Sequence, residues 1–176
     1  FENLLIKSGF QFSEIQKNLI FLKSYKTDSL IKEEDIIQAI PKTLQDNIFD
    51  LTQFILAKKI DQARDLVRDL TLQGEDEIKL IAVMLGQFRT YTQVKILAES
   101  GQTDSQIISS LGTYLGRNPN PYHIKFALRD SRGISLAFLK YAIRYLIETD
   151  YQIKTGVYEK SYLFEKALLQ IASQVS

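Results

Sequence analysis

The sequence predicts an all-α protein, a helical bundle preceded by a smaller helical piece. Apolar residues recur at intervals of three and four over nearly the whole length, the spacing of one buried helix face. Residues that start or stop helices bracket each periodic stretch. No Val/Thr-rich alternating run bounded by turn pairs suggests a strand, and no internal repeat is visible.

Along the chain, Phe12, Ile15, Leu19 and Leu22 mark the inner face of a first helix, from Phe12 to Tyr25, with Lys17 and Lys23 off that stripe. A short helix follows Leu30 and Ile31. Its first turn gathers Glu33, Glu34 and Asp35, which suit the positive end of a helix dipole; Ile36 and Ile37 are expected to face inward, and Pro41 ends it. Residues 1–40 make too few helices to bury a core alone, so 1–40 is taken as a partial domain, 41–46 as a linker and 47–176 as the main domain.

Asp46 is placed as the cap of a helix over 47–57, and Asp61 as the cap of the next, where Ala63, Leu66, Val67 and Leu70 share a face. These two are expected to form an antiparallel pair. Gly74 suits the C-terminal end. A long helix then runs to about Glu99, with Ile78, Ile81, Leu85 and Phe88 buried. Thr103 and Gln106 form a capping box for a short helix carrying Ile107, Ile108 and Leu111. After a long connection over 112–120, Asn120 as cap and Pro121 at the first position start another helix, which Gly133 ends.

The stretch 135–155 is apolar around most of its circumference and is expected to lie at the centre. Leu136, Leu139, Ile143, Leu146 and Ile153 form one seam and Phe138, Tyr141 and Tyr145 another, with Lys140, Arg144 and Glu148 wet. Asp150 interrupts the first seam, so a cation or backbone amides from a neighbouring helix should meet it. A last helix over 161–174 buries Leu163, Phe164, Ala167, Leu168 and Ile171.

Composition excludes several functions. The 22 basic and 21 acidic residues leave a net charge of +1, so no overall field draws the chain to nucleic acid or to a membrane surface. There is no cysteine and one histidine, His123, so no thiolate or imidazole cluster can hold a metal. Glu33, Glu34 and Asp35 lack the alternating oxygens and turn glycine of a calcium loop. No glycine begins a phosphate-cradling motif, and no glycine-flanked serine accompanies His123. No apolar run approaches the ~20 residues that cross a bilayer. No cofactor is expected. The chain opens on Phe1, which suggests a piece of a longer protein.

Two charged surfaces are candidates for DNA contact. Lys125, Arg129 and Arg132 fall at i, i+4 and i+7 on one helix face; the plainer reading is a solvated face, or one that pairs with an acid such as Asp150. Lys154, Tyr158, Lys160 and Tyr162 could stack and neutralise a single strand, although the plainer reading is tyrosines packed at a helix junction. A helix-turn-helix at 103–133 is disfavoured by the long connection over 112–120.

Several short stretches, in order and at consistent spacing over about 130 residues, resemble the C-terminal part of the delta subunit of bacterial DNA polymerase III. They are Asp46-Asn47-Ile48-Phe49-Asp50-Leu51, the leucine-rich helix 63–74, Gly86-Gln87-Phe88-Arg89 with Val94-Lys95, Asn120-Pro121-Tyr122 with Lys125, and Asp150 with Ile153-Lys154-Thr155-Gly156. The connection over 112–120 is longer than is usual in that family. The resemblance implies a helical collar domain over 47–176 and the latter part of a helical AAA+ lid domain over 1–40. It implies a non-catalytic role in clamp loading during DNA replication. The collar would pack with the loader's ATPase subunits and a delta-prime type subunit. An N-terminal module upstream of Phe1 would engage the sliding clamp, primer-template DNA would be met indirectly or weakly, and the setting would be cytoplasmic, without membrane contact. Interface or structural candidates are Asn47, Phe49, Asp50, Leu51, Phe88, Arg89, Lys95, Pro121, Tyr122, Asp150, Lys154 and Gly156. On this view the chain, cut from its partners, leaves apolar residues uncovered on the collar and along 1–39.

Overall fold

The computed structural model describes residues 2–8, 11–26, 30–115 and 121–175, and all regular elements among them are helices. In chain order these are α1 (Glu2–Lys7), α2 (Phe12–Tyr25), α3 (Glu33–Ala39), α4 (Leu44–Leu56), α5 (Ile60–Leu72), α6 (Glu77–Glu99), α7 (Asp104–Leu115), α8 (Pro121–Ser131), α9 (Leu136–Lys154) and α10 (Lys160–Ser173). The chain divides into two compact units, Phe1–Leu44 and Gln45–Ser176.

The first unit is three helices around Leu4, Leu22, Ile36 and Ile40, with Ile15, Ile31 and Ala39 against them. Helix α1 was not expected from the periodicity, being under two turns long. Lys26 reaches back to Asp35 at 2.7 Å, and the same carboxylate accepts the Lys32 amide at 2.7 Å. The Lys26 ammonium, followed by that amide bond, holds the Asp35 carboxyl below the usual range. The expected inner face of α2 is only partly covered. Leu22 is buried, but Phe12 is 81% exposed and Leu19 45%, and on α3 Ile37 is exposed rather than inward. Helices of six and seven residues cannot cover a partner of fourteen, so the ends of the stripe stay bare.

In the second unit the hub is α6, not α9. It packs on α7, α8, α9 and α10, while α9 lies against α6 and α10. The buried face of α6 runs through Leu80, Ile81, Met84, Phe88, Tyr91 and Val94. Ile78 and Leu85, expected inside, are half-buried, because partners on several sides shift the buried arc away from the stripe that apolar spacing alone selects. On α9, Phe138, Leu139, Ala142, Leu146 and Thr149 are inside. Leu136, Ile143, Ile153, Tyr141 and Tyr145 are half-buried, and the expected wet strip of Lys140, Arg144 and Glu148 is exposed. That strip is joined in solvent by Ile147 and Tyr151, so α9 is a flanking helix. Helix α10 buries Leu163, Phe164, Ala167, Leu168 and Ile171 as its spacing indicates.

Helix ends correct three expectations. Asp46 and Asp61 sit within the first turns of α4 and α5, where a carboxylate still favours the dipole, rather than at their N-cap positions. Helix α5 packs on α10. Helix α7 continues through Leu115, so Gly112 is helical and not part of a connection; residues 116–120, and with them the Asn120 cap, lie outside the described residues. The capping box at α7 is present: Thr103 N donates to Gln106 Oε1 at 2.8 Å and Gln106 N to Thr103 Oγ1 at 3.4 Å. Ser135 caps α9 by accepting from Phe138 N at 3.1 Å, and Asp76 caps α6 by accepting from Ile78 N at 2.8 Å.

Candidate functional site

Edge-on aromatic contacts help set how α4 and α6 meet their neighbours. Phe49 meets Phe126 of α8 edge-on, with ring centroids 5.1 Å apart. Phe88 meets Phe138 of α9 at 6.2 Å and Tyr91 at 6.5 Å, both edge-on. Such geometry adds to simple burial by setting the positive ring edge against a negative face. Leu51 is fully buried nearby in sequence, on the same helix as Phe49. Asn47 and Asp50 are half-buried on α4, and Arg89, beside the buried Phe88, points to solvent.

A polar knot joins α4, α6 and α8. Gln53 Nε2 donates to Tyr91 Oη at 3.0 Å and to Asp130 Oδ2 at 2.6 Å. The Tyr91 hydroxyl donates to the same Oδ2 at 3.3 Å. Asp130 Oδ1 accepts Arg129 Nε at 2.7 Å, and the Arg129 guanidinium lies over the Phe126 ring, 4.4 Å from its centre. Tyr91 is wholly buried. Burial first, and the Asp130 charge second, push its phenol well above its ordinary value. Gln53, Tyr91 and Asp130 were not expected from the sequence. A tyrosine on the buried stripe of α6 was the available signal, since a buried phenol needs a partner.

Lys95 is placed at the end of α8, where its ammonium donates to the Ser131 carbonyl at 3.0 Å and pairs with Glu99 at 3.3 Å. A cation there satisfies a terminal carbonyl and the negative helix end. Lys160 works between α10 and α6: it pairs with the α6 cap Asp76 and reaches the buried Glu77 at 3.2 Å. Lys160, with the Ile78 amide after it, holds the Asp76 carboxyl low, and Asp76 ahead of Glu77 raises the Lys160 ammonium.

Of the remaining candidates, Asp150 and Lys154 come together at 2.7 Å. The expected partner from a neighbouring helix is not found among the described residues; Asp150 is a quarter exposed, and one turn of its own helix supplies the cation. Gly156, at φ 70°, is the left-handed residue after α9. Its amide bonds the Ile153 carbonyl and the Val157 amide that of Gln152, which closes the helix end. Pro121 begins α8 and Tyr122 follows within it; their side chains, and that of His123, lie outside the described residues. Ile124, Ala127 and Leu128 are buried while Lys125, Arg129 and Arg132 are exposed, as their spacing predicts. These three cations line one groove with Phe126, Leu128 and Asp104. Arg129 takes Asp130 rather than Asp150. The other edge is less basic than its composition suggests, because Lys154 and Lys160 both face carboxylates. Tyr158 and Tyr162 are exposed and paired at 6.2 Å.

Among the described residues no group of His, Cys, Asp or Glu is arranged to hold a metal, and no helix is long and apolar enough to cross a membrane.

These contacts define an all-α packing module, organised by aromatic pairs and helix-end charges around one central helix. Residues 45–171 match the family of the DNA polymerase III delta subunit, C-terminal domain, and the chain belongs to that family. It is 33% identical over 160 residues to DNA polymerase III subunit delta of Bacillus subtilis, a match covering 91% of this chain and 44% of that one. The solved DNA clamp loader delta protein of Bacillus subtilis superposes with a TM-score of 0.86 at 30% identity, covering 98% of this chain and 50% of the other. The chain thus spans about half the length of the relatives it matches.

Proposed function

We propose that the chain is a non-catalytic assembly part of a DNA clamp loader, working in the cytoplasm during DNA replication. In this reading the unit Gln45–Ser176 is a collar that packs with the loader's ATPase subunits and a delta-prime type subunit. The unit Phe1–Leu44 is the latter part of an AAA+ lid domain, which would link the collar to a module that engages the sliding clamp. Family membership supports the setting. The observation that carries the assembly role is apolar surface left uncovered at helical spacing: Ile147 and Tyr151 on α9, and Tyr162 and Leu169 on α10, are each more than two-fifths exposed. On the first unit Phe12, Ile20, Phe21 and Leu30 are similarly bare. Large exposed apolar residues grouped in this way mark association surfaces.

Mechanistically the chain contributes position. A core tied across α4, α6 and α8 resists shear, so movement imposed by ATP binding in a neighbour passes to the clamp-engaging module instead of dissipating in the collar. Affinity capture tests this. The chain should retain intact loader ATPase subunits at micromolar concentration and keep them in high salt, because apolar contacts are not screened. Absence of retention at that concentration rules the assembly role out.

A further inference from the structure

We propose that the exposed face of α8 is a pre-oriented binding site for the phosphate backbone of DNA. Lys125, Arg129 and Arg132 span ~10 Å along the helix, at 1.5 Å per residue, and line one groove. Among the described residues neither Lys125 nor Arg132 has an ion-pair partner. A flexible cation loses rotamer freedom when it grips an anion, but Arg129 has already lost much of that freedom. Its Nε is bonded to Asp130 Oδ1 and its guanidinium carbon lies over the Phe126 ring, while its side chain is still 61% exposed.

The support reaches a second layer. Asp130 is itself held through Oδ2 by Gln53 and the buried Tyr91, and Phe126 by the edge of Phe49. Residues on α4 and α6 therefore set the angle at which Arg129 faces the groove. A guanidinium fixed in this way presents a planar fork to phosphate oxygens, with Lys125 and Arg132 as point charges on either side. Asp104 at the rim opposes any anion and keeps the site moderate in strength, suited to a strand that must be released. The choice of DNA over an acidic protein segment rests on the clamp-loader reading; the groove's anion chemistry does not.

The test uses the whole 176-residue chain and a fluorescent primed DNA, with binding followed by anisotropy from about 50 to 200 mM salt. Each phosphate contact removed should lower the slope of log affinity against log salt by about one, so Lys125→Gln with Arg132→Gln should lower it by about two. Asp130→Asn makes the chain one charge more positive, yet should weaken binding because Arg129 exchanges a charge-assisted bond for a weaker neutral one and its hold loosens. Circular dichroism at the assay temperature confirms folding, and Phe126→Leu, which removes the ring beneath the Arg129 guanidinium, serves in place of Asp130→Asn if the latter is unfolded, with the same expected direction. The proposal is overturned if the chain does not bind DNA at low salt, if the double variant keeps the full slope, if Asp130→Asn tightens binding, or if poly-glutamate binds as well as DNA. Retention of loader ATPase subunits, measured on the same proteins, separates the two readings: loss of DNA binding with retention intact removes only this site, and loss of retention with DNA binding intact removes only the assembly role.

Discussion

The hydroxyl of Tyr91, on the fully buried face of α6, donates to the carboxylate of Asp130 on α8 at 3.3 Å. Gln53 of α4 donates to the Tyr91 hydroxyl and to Asp130 Oδ2, so three helices meet at one polar point inside an apolar bundle. A satisfied buried network of this kind specifies alignment more than it adds stability, because most of its strength offsets desolvation. Tyr91→Phe should therefore cost only about 1 kcal/mol in urea unfolding, since Gln53 still reaches Asp130. Asp130→Ala should cost about 1 to 3 kcal/mol by leaving polar groups underserved. A double-mutant cycle should show the two substitutions to be non-additive.

Alkaline pH should expose the same phenol. Its folded pKa lies above the ordinary 10.0, so above about pH 10 the unfolded chain releases a proton that the folded chain keeps, and stability falls as pH rises. Lys160 acts in the same direction, being raised above 10.5: its contribution is complete below that value and lost as pH rises through the folded pKa. Melting temperature against pH should decline above about 10, and less steeply in Tyr91→Phe.

The acid limb belongs to other groups. Asp35 and Asp76 both have carboxyls held below 3.8. Their contribution is present above that pH and disappears as pH falls through the depressed folded values. Lys160→Met should lower the melting point at neutral pH and flatten its decline in acid, because Asp76 then has less to lose. An acid profile parallel to that of the unaltered chain contradicts the Lys160 assignment.

Adjacent residues on α6 should behave oppositely. Phe88 is fully buried between Tyr91 and Phe138, and Phe88→Ala should cost about 3 to 5 kcal/mol in unfolding. Arg89 is exposed, and Arg89→Ala should stay within about 0.5 kcal/mol. Should Arg89→Ala nevertheless weaken capture of loader subunits, its place is in an interface.

Lys58 occupies a left-handed conformation, φ 57°, after α4. Its amide bonds the Ile55 carbonyl and the Lys59 amide that of Phe54, the arrangement that elsewhere in the chain uses glycine at 74 and 156. A side chain there costs about 1 kcal/mol. Lys58→Gly should raise stability by about that amount less the added chain entropy, and Gly156→Ala should lower it by about 1 kcal/mol; thermal melts measure both.

The assembly role makes its own demand. Ile147→Gln with Tyr151→Gln alters exposed positions and should leave the melting point nearly unchanged. Capture of loader ATPase subunits should weaken by about tenfold or more, since truncating an interface anchor removes over 1 kcal/mol. Undiminished capture relocates the interface away from α9.

Helix class and order, most helix ends, the inner face of α10 and the two faces of α8 were legible in the residues alone, because each depends on a period of 3.6 and on groups three or four positions apart. Local spacing also identified the capping box at Thr103 and the charge row at Lys125, Arg129 and Arg132. It could not say that α6 rather than α9 is central, that Phe12 and Leu19 lie in solvent, or that Asp150 is satisfied within its own turn. Those outcomes turn on which helices meet, and a long apolar circumference does not disclose how much of it neighbours will cover. Nor could spacing find Gln53, Tyr91 and Asp130, which lie 38 and 39 positions apart in sequence. Hydrogen bonds act over three ångströms, so only packing of the helices makes neighbours of residues so distant along the chain.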